Sequence, residues 1–154
     1  MPAQKPALLV LAVSLAAGCG GSAQLSKAQY QAKLRADAAG ITRAVRKVNP
    51  DSLSTLAPQL AETEKAVAKA ADDLGSAKPP SNVQADNTKI VAALRAIAAQ
   101  FGKLKRAFDS GDMDAEDAAY RAFQTLPELK AAKPAVADLQ AKGYEVGILA
   151  ELSP

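Results

Sequence analysis

The chain has 154 residues, 49% of them hydrophobic and 4% aromatic, with no Trp. A single Cys excludes an internal disulfide, and the absence of His removes the commonest general base and metal ligand. A formal net charge of +3, without a basic stripe interleaved with aromatics, argues against nucleic acid as a partner.

Met1 to Lys5 carries one positive charge, and Ala7 to Ala17 (ALLVLAVSLAA) is an eleven-residue apolar run. That run is too short to span a bilayer as a finished structure and has the length of a signal h-region. It ends in Ala16-Ala17-Gly18-Cys19. Small residues directly before a Cys form a lipobox-like site, where signal peptidase II cuts and the thiol carries a diacylglycerol. Ala16 stands where such sites more often carry Leu, and the competing reading is a plain secretory signal with a fortuitous Cys. The expectation is a lipoprotein signal peptide over residues 1–18 and lipidation at Cys19. Each buried acyl CH₂, palmitate included, contributes about 0.8 kcal/mol to anchorage. The mature protein then sits on the extracytoplasmic face of the cell membrane. Residues 19–25 form the lipidated Cys and a tether of at most about 20 Å. About 136 residues remain, enough for one modest core.

The Ala-rich remainder favours helix. The first helix starts at Ser26, where Ser26 and Gln29 make a capping box flanked by Leu25 and Tyr30. Its stripe is Tyr30, Leu34, Ala38, Ile41, Val45 and Val48, and it ends before Asn49-Pro50. The second takes Asn49 as cap and Pro50 as first residue. Leu53, Leu56, Leu60, Thr63, Val67, Ala70 and Leu74 form its seam. Pro58 predicts a kink or a short first turn, and Gly75 a stop.

After a linker over residues 76–80, a second capping box at Ser81 and Gln84 opens the third helix. Its seam is Val83, Asn87, Ile90, Leu94, Ile97, Phe101, Leu104 and Phe108. Asp109-Ser110-Gly111 turns the chain. The fourth helix starts at Asp112, with Tyr120, Phe123 and Leu126 expected inside. Thr125 and Glu128 read as a third capping box. Leu129, Ala132, Val136 and Leu139 continue the pattern past Pro127 and Pro134, so this helix is bent or broken near one of them. The spacing predicts an all-α, antiparallel, up-down-up-down four-helix bundle over 26–143, with a tail over 144–154. The start of the first helix, the 76–80 linker and the tail lie near the membrane, and the other two turns point away.

Asp109, Asp112, Asp114, Glu116 and Asp117 concentrate acid after the third helix. Asp112, Asp114 and Glu116 are weak candidates for a metal site. The EF-hand spacing fails here, and acids at a helix start already complement its dipole. Arg43, Arg46 and Lys47, like Lys103, Lys105 and Arg106, close helices, where cations also suit the dipole. A patch of mixed charge at the distal end can still bind a partner. Asn87 and Thr63 interrupt apolar seams, either pinning register or lining a cavity. The motifs of di-iron bundles and c-type haem are absent, and no cofactor is implied.

Leu25 to Gly40 (LSKAQYQAKLRADAAG), Pro79-Pro80 and Gly111-Asp112 together resemble a group of uncharacterised exported helical proteins and lipoproteins of high-GC Gram-positive-type bacteria. Such chains open the mature domain on L-S-K-A-x-Y. The resemblance lends no activity. It implies a Cys pair at positions held here by Gly40 and Gly147. A disulfide in relatives would put these two within about 7 Å between Cα atoms, with the tail folded back on the first helix. The alternative is that Gly40 merely permits close packing.

The functional expectation is a non-enzymatic, membrane-tethered helical module that binds an envelope partner or contributes to envelope structure. The alternative is a carrier of a small apolar ligand or lipid. That alternative requires a cavity of a few hundred Å³ lined by residues such as Leu94, Ile97, Phe101, Tyr120 and Phe123.

Overall fold

A computed structural model describes residues 23–152; the leader and Cys19 lie outside them. Helix α1 (Lys27–Val45) is launched by the predicted capping box. The Ser26 hydroxyl accepts the Gln29 N–H at 3.3 Å, and Gln29 Oε1 accepts the Ser26 N–H at 2.8 Å. Tyr30, Leu34, Ala38 and Ile41 are buried along one stripe.

Helix α2 (Leu53–Ser76) starts later than the Asn49-Pro50 signal implies. Asn49 is spent on a turn instead of a cap: its Oδ1 accepts the Asp51 N–H at 3.1 Å. Gln59 Oε1 holds the Asn49 N–H at 2.7 Å. The helix runs through Pro58 and past Gly75 without ending at either.

Helix α3 (Gln84–Ser110) follows a 3₁₀ turn, Ser81–Val83. The expected second capping box does not form. The Val83 N–H bonds to the Pro80 carbonyl at 3.0 Å, and the Val83 side chain is fully buried. Gly111, at φ 65°, takes the left-handed conformation that closes α3. Asp112 then caps α4 (Met113–Gln124) by accepting the Ala115 N–H at 3.0 Å.

The fourth helix is two helices, broken at residues 125–126. The third capping box also fails. Thr125 Oγ1 turns back to the Arg121 and Ala122 carbonyls, and Leu126 occupies the cap position. Pro127 is the first residue of α5 (Pro127–Ala141), where its missing N–H costs nothing, while Pro134 lies inside an unbroken helix.

These helices make an all-α four-helix bundle. α2 and α3 form its central hairpin. α1 packs on α2, and α3 also carries α5 and, toward its C-terminal end, α4. The C-terminal segment is part of the core instead of an external tail. A 3₁₀ stretch, Gly147–Leu152, packs against both α1 and α5. Tyr144, Val146 and Leu149 are buried with Tyr30, Leu34, Ile90, Leu94 and Leu139.

Candidate functional site

At the end where α1 begins, three segments meet. The Leu25 N–H donates to Lys78 O at 2.7 Å, and Gln24 Nε2 to Pro79 O at 3.0 Å. Lys27 Nζ donates to Lys142 O at 2.6 Å and lies 5.0 Å from the centre of the Tyr144 ring. The start of α1, the α2–α3 linker and the end of α5 are thus gathered together, as expected. The last residues run back along α1, as the resemblance implies, and Ile148 borders a cavity with Ile41 and Val45.

Asn87 ties three helices. Its Oδ1 accepts the Tyr30 hydroxyl at 2.8 Å, and its Nδ2 donates to Leu74 O at 3.1 Å. Leu74 lies in the last turn of α2, so this bond satisfies a carbonyl the helix cannot. Burial pushes the Tyr30 phenol well above its ordinary pKa. Asn87 therefore joins α1, α2 and α3, and it also borders a groove of about 370 Å³ with Gln24, Lys78 and Pro79. Thr63, also fully buried, bonds back to Gln59 O at 2.9 Å. Beside this pin, Lys142 contacts Asp138 and Asp86. Burial holds the Asp86 carboxyl above its usual range, and hydrogen bonding to Lys142 holds Asp138 below it.

Four of the five anticipated ligand-lining residues converge. Leu94, Ile97, Phe101 and Phe123 border a half-open cavity of about 220 Å³, together with Ile41, Val45, Val67, Ile148 and Leu149. The Phe101 and Phe123 rings meet edge to face, 5.4 Å between centroids. Tyr120 does not join them; it is 61% exposed, and Ala119 is buried in its place. The α4 segment leans on α3 and has no second wall to receive a Tyr. Glu151 also borders the cavity.

The acidic residues at 112–116 do not assemble a metal centre. Asp112 caps α4, and among the described residues no three His, Cys, Asp or Glu side chains group to hold a metal ion. Gly40 and Gly147 face different grooves. A Cβ at Gly40 meets nothing within 4 Å, and Gly40 borders the α1–α2 groove with Asp37 and Asp73. Gly147, at φ 54°, is the close-approach point: a Cβ there lies 3.0 Å from that of Ala38. The tail folds back on α1, as the resemblance implies.

The α1–α2 groove holds a feature absent from the sequence reading. Asp37 is buried, one of its carboxylate oxygens has no hydrogen-bond partner, and Asp73 neighbours it. Burial, then the charge of Asp73, raises the Asp37 pKa to about 6, against the opposing Lys33 and Lys69. A heptad-like reading places residue 37 beside the stripe; only the small Ala36, Gly40, Ala66 and Ala70 around it let α2 close over the carboxyl.

Comparison of the chain with protein-family models, with curated proteins and with solved structures finds no match.

Proposed function

We propose that the chain is an extracytoplasmic lipoprotein, tethered to the cell membrane through lipid on Cys19, whose helical bundle is a non-enzymatic module for partner binding or envelope structure. The observation that carries this reading is the apolar run Ala7–Ala17 ending in Ala16-Ala17-Gly18-Cys19. The short interval to α1 agrees with it. Leu25 is fastened to the α2–α3 linker, so the six residues from Gly20 to Leu25 keep the bundle within about 20 Å of an acylated Cys19. No helix among the described residues is long and apolar enough to cross a membrane, which leaves anchorage to the lipid in this reading.

Metabolic labelling tests it. Radiolabelled palmitate is expected to enter the wild-type chain, and Cys19→Ala is expected to lose the label and leave the membrane fraction. Equal labelling of both chains defeats the proposal.

The 220 Å³ cavity favours a second reading, carriage of a small apolar ligand. It lies below the roughly 300 Å³ at which drug-sized sites begin, so it suits one short hydrocarbon group better than a whole lipid. Saturable uptake of a naphthalene-type fluorophore, lost in Leu94→Trp, would put this reading first.

A further inference from the structure

Halfway along α1, small residues make the contact with α2. Ala36 and Gly40 of α1 and Ala66 and Ala70 of α2 line a groove of about 440 Å³. Alanine and glycine carry little apolar surface, so packing holds the two helices weakly along this flank. Two carboxyl groups share the groove, Asp37 from α1 and Asp73 from α2. Asp37 is 9% exposed, and its Oδ2 has no hydrogen-bond partner. Ionised carboxylates only accept hydrogen bonds, so two of them cannot satisfy one another. With a proton on Asp37, its hydroxyl donates to Asp73 and no oxygen is orphaned. Lys69 decides which partner holds the proton. Its ammonium pairs with Asp73 one turn away, and that hydrogen bond, first of all, holds the Asp73 carboxyl below its ordinary range. The charged groups facing Asp37 are Lys33 and Arg43 on α1 and Lys69 and Asp73 on α2. Among the described residues, no charged group of another element lines the groove.

The hold on α1 is uneven along its length. Its first turns are tied by Lys27 to Lys142 and by Tyr30 to Asn87. Beyond Asp37, its side-chain tie to α2 among the described residues is the exposed pair Lys47–Glu62, of a kind that contributes little. We propose that Asp37 and Asp73 are a proton-dependent latch between α1 and α2, and that loss of the shared proton to solvent frees the distal half of α1. Only the O–H bond of Asp37 breaks. Two buried carboxylates then face each other, and separation of the helices lets water reach both. Ile41 and Val45 of the freed half border the apolar cavity with Val67 of α2, so release widens that cavity. The sign is definite. The closed seam keeps its proton up to about pH 6, whereas a released Asp37 loses it near its ordinary 3.8. The closed form is therefore disfavoured about tenfold per pH unit across that window, and about 100-fold in all. The latch goes beyond the partner and carriage readings and requires neither.

Hydrogen exchange on the full chain in detergent micelles tests it, read as protection factors that divide out the intrinsic pH dependence of exchange. From pH 4.5 to pH 7, protection of the Ile41–Val45 amides is expected to fall at least tenfold. At pH 7 a low concentration of urea is expected to leave exchange of these amides unchanged while it speeds that of Leu94–Ala98 in the middle of α3. Freeing half a helix exposes far less surface than unfolding the bundle. If the two segments lose protection together, with one urea dependence, Asp37 acts on global stability alone and the latch is overturned. Asp37→Asn is neutral at every pH and still offers Asp73 a donor. It is expected to keep Ile41–Val45 protected at both pH values, and an undiminished pH response in this variant also overturns the proposal. Should that variant fail to fold, Asp73→Asn decides: it is expected to shrink the response, and an unchanged response removes Asp73 from the latch and defeats it. Fluorophore uptake is read separately, so a chain that shows this exchange and takes up no fluorophore keeps the latch and loses the carriage reading.

Discussion

Where α1 begins, every neighbouring segment is tied to at least one other by a named polar contact: Leu25 to Lys78, Lys27 to Lys142, Tyr30 to Asn87 and Asn87 to Leu74. At the opposite end, α4 leans on α3, two of the large exposed apolar side chains (Met113 and Tyr120) lie on α4, and the facing Gln100 is left without a partner. The first end is a closed polar network around a sealed core, which fixes a single register. The second is held by one helix-to-helix contact and keeps unmet hydrogen-bonding capacity. In this small bundle, the polar network and the unpartnered Gln100 oxygen are thus placed at different ends.

The comparison is sharpest when the closed end is cut. Truncation after Gly143 removes Tyr144, Val146 and Leu149, all buried. At about 1.5–3 kcal/mol per side chain the loss rivals the whole stability of a small domain. Thermal circular dichroism is expected to show no cooperative transition. Asn87→Ala comes next, stranding the Tyr30 hydroxyl and the Leu74 carbonyl in the core. A loss of about 2–4 kcal/mol in urea unfolding is expected; a loss under 1 kcal/mol would mean that the pin is dispensable.

Asp37 supplies an effect of about 1–2 kcal/mol with a definite sign. Its folded-state pKa of about 6 exceeds the unfolded value, so the folded chain binds the extra proton between about pH 4 and 6. Its contribution to stability is present below that window and lost as pH rises through 6. Asp73 and Asp138, whose pKa values are lowered, work in the opposite direction, so the quantity to measure is the difference between wild type and Asp37→Asn. The variant is expected to gain on wild type from pH 5 to pH 7, and a constant difference would remove the proton from the account. Smallest of all, Tyr120→Ser on the open end is expected to change stability by less than about 0.5 kcal/mol. A larger cost would show that α4 is better supported than its contacts indicate.

Periodicity made the bundle legible, because long three-four seams leave little choice of face. Capping signals were less reliable. Ser26 forms its box because its surroundings are free of Pro. Ser81 follows Pro79-Pro80, and burying Val83 pulls the chain into a 3₁₀ turn. Thr125 precedes Pro127, whose preference for the first helical position moves the cap to Leu126. Tyr120 lies outside the apolar cavity although its stripe position suggests otherwise, since a stripe reports which side of a helix is apolar and not how many neighbours receive it. Asp37 and Gln100 were illegible: each is a polar residue covered only because small residues on a neighbouring helix allow close approach.

The paired bonds between Gln31 and the Glu145 backbone join residues separated by 114 positions. A polypeptide delivered N-terminus first therefore carries one flank of its opening helix uncovered until almost the last turn of chain has emerged. Closure of the barrel of side chains around Tyr30 is a terminal event, and a long-range one, which slows folding relative to bundles knitted from adjacent hairpins.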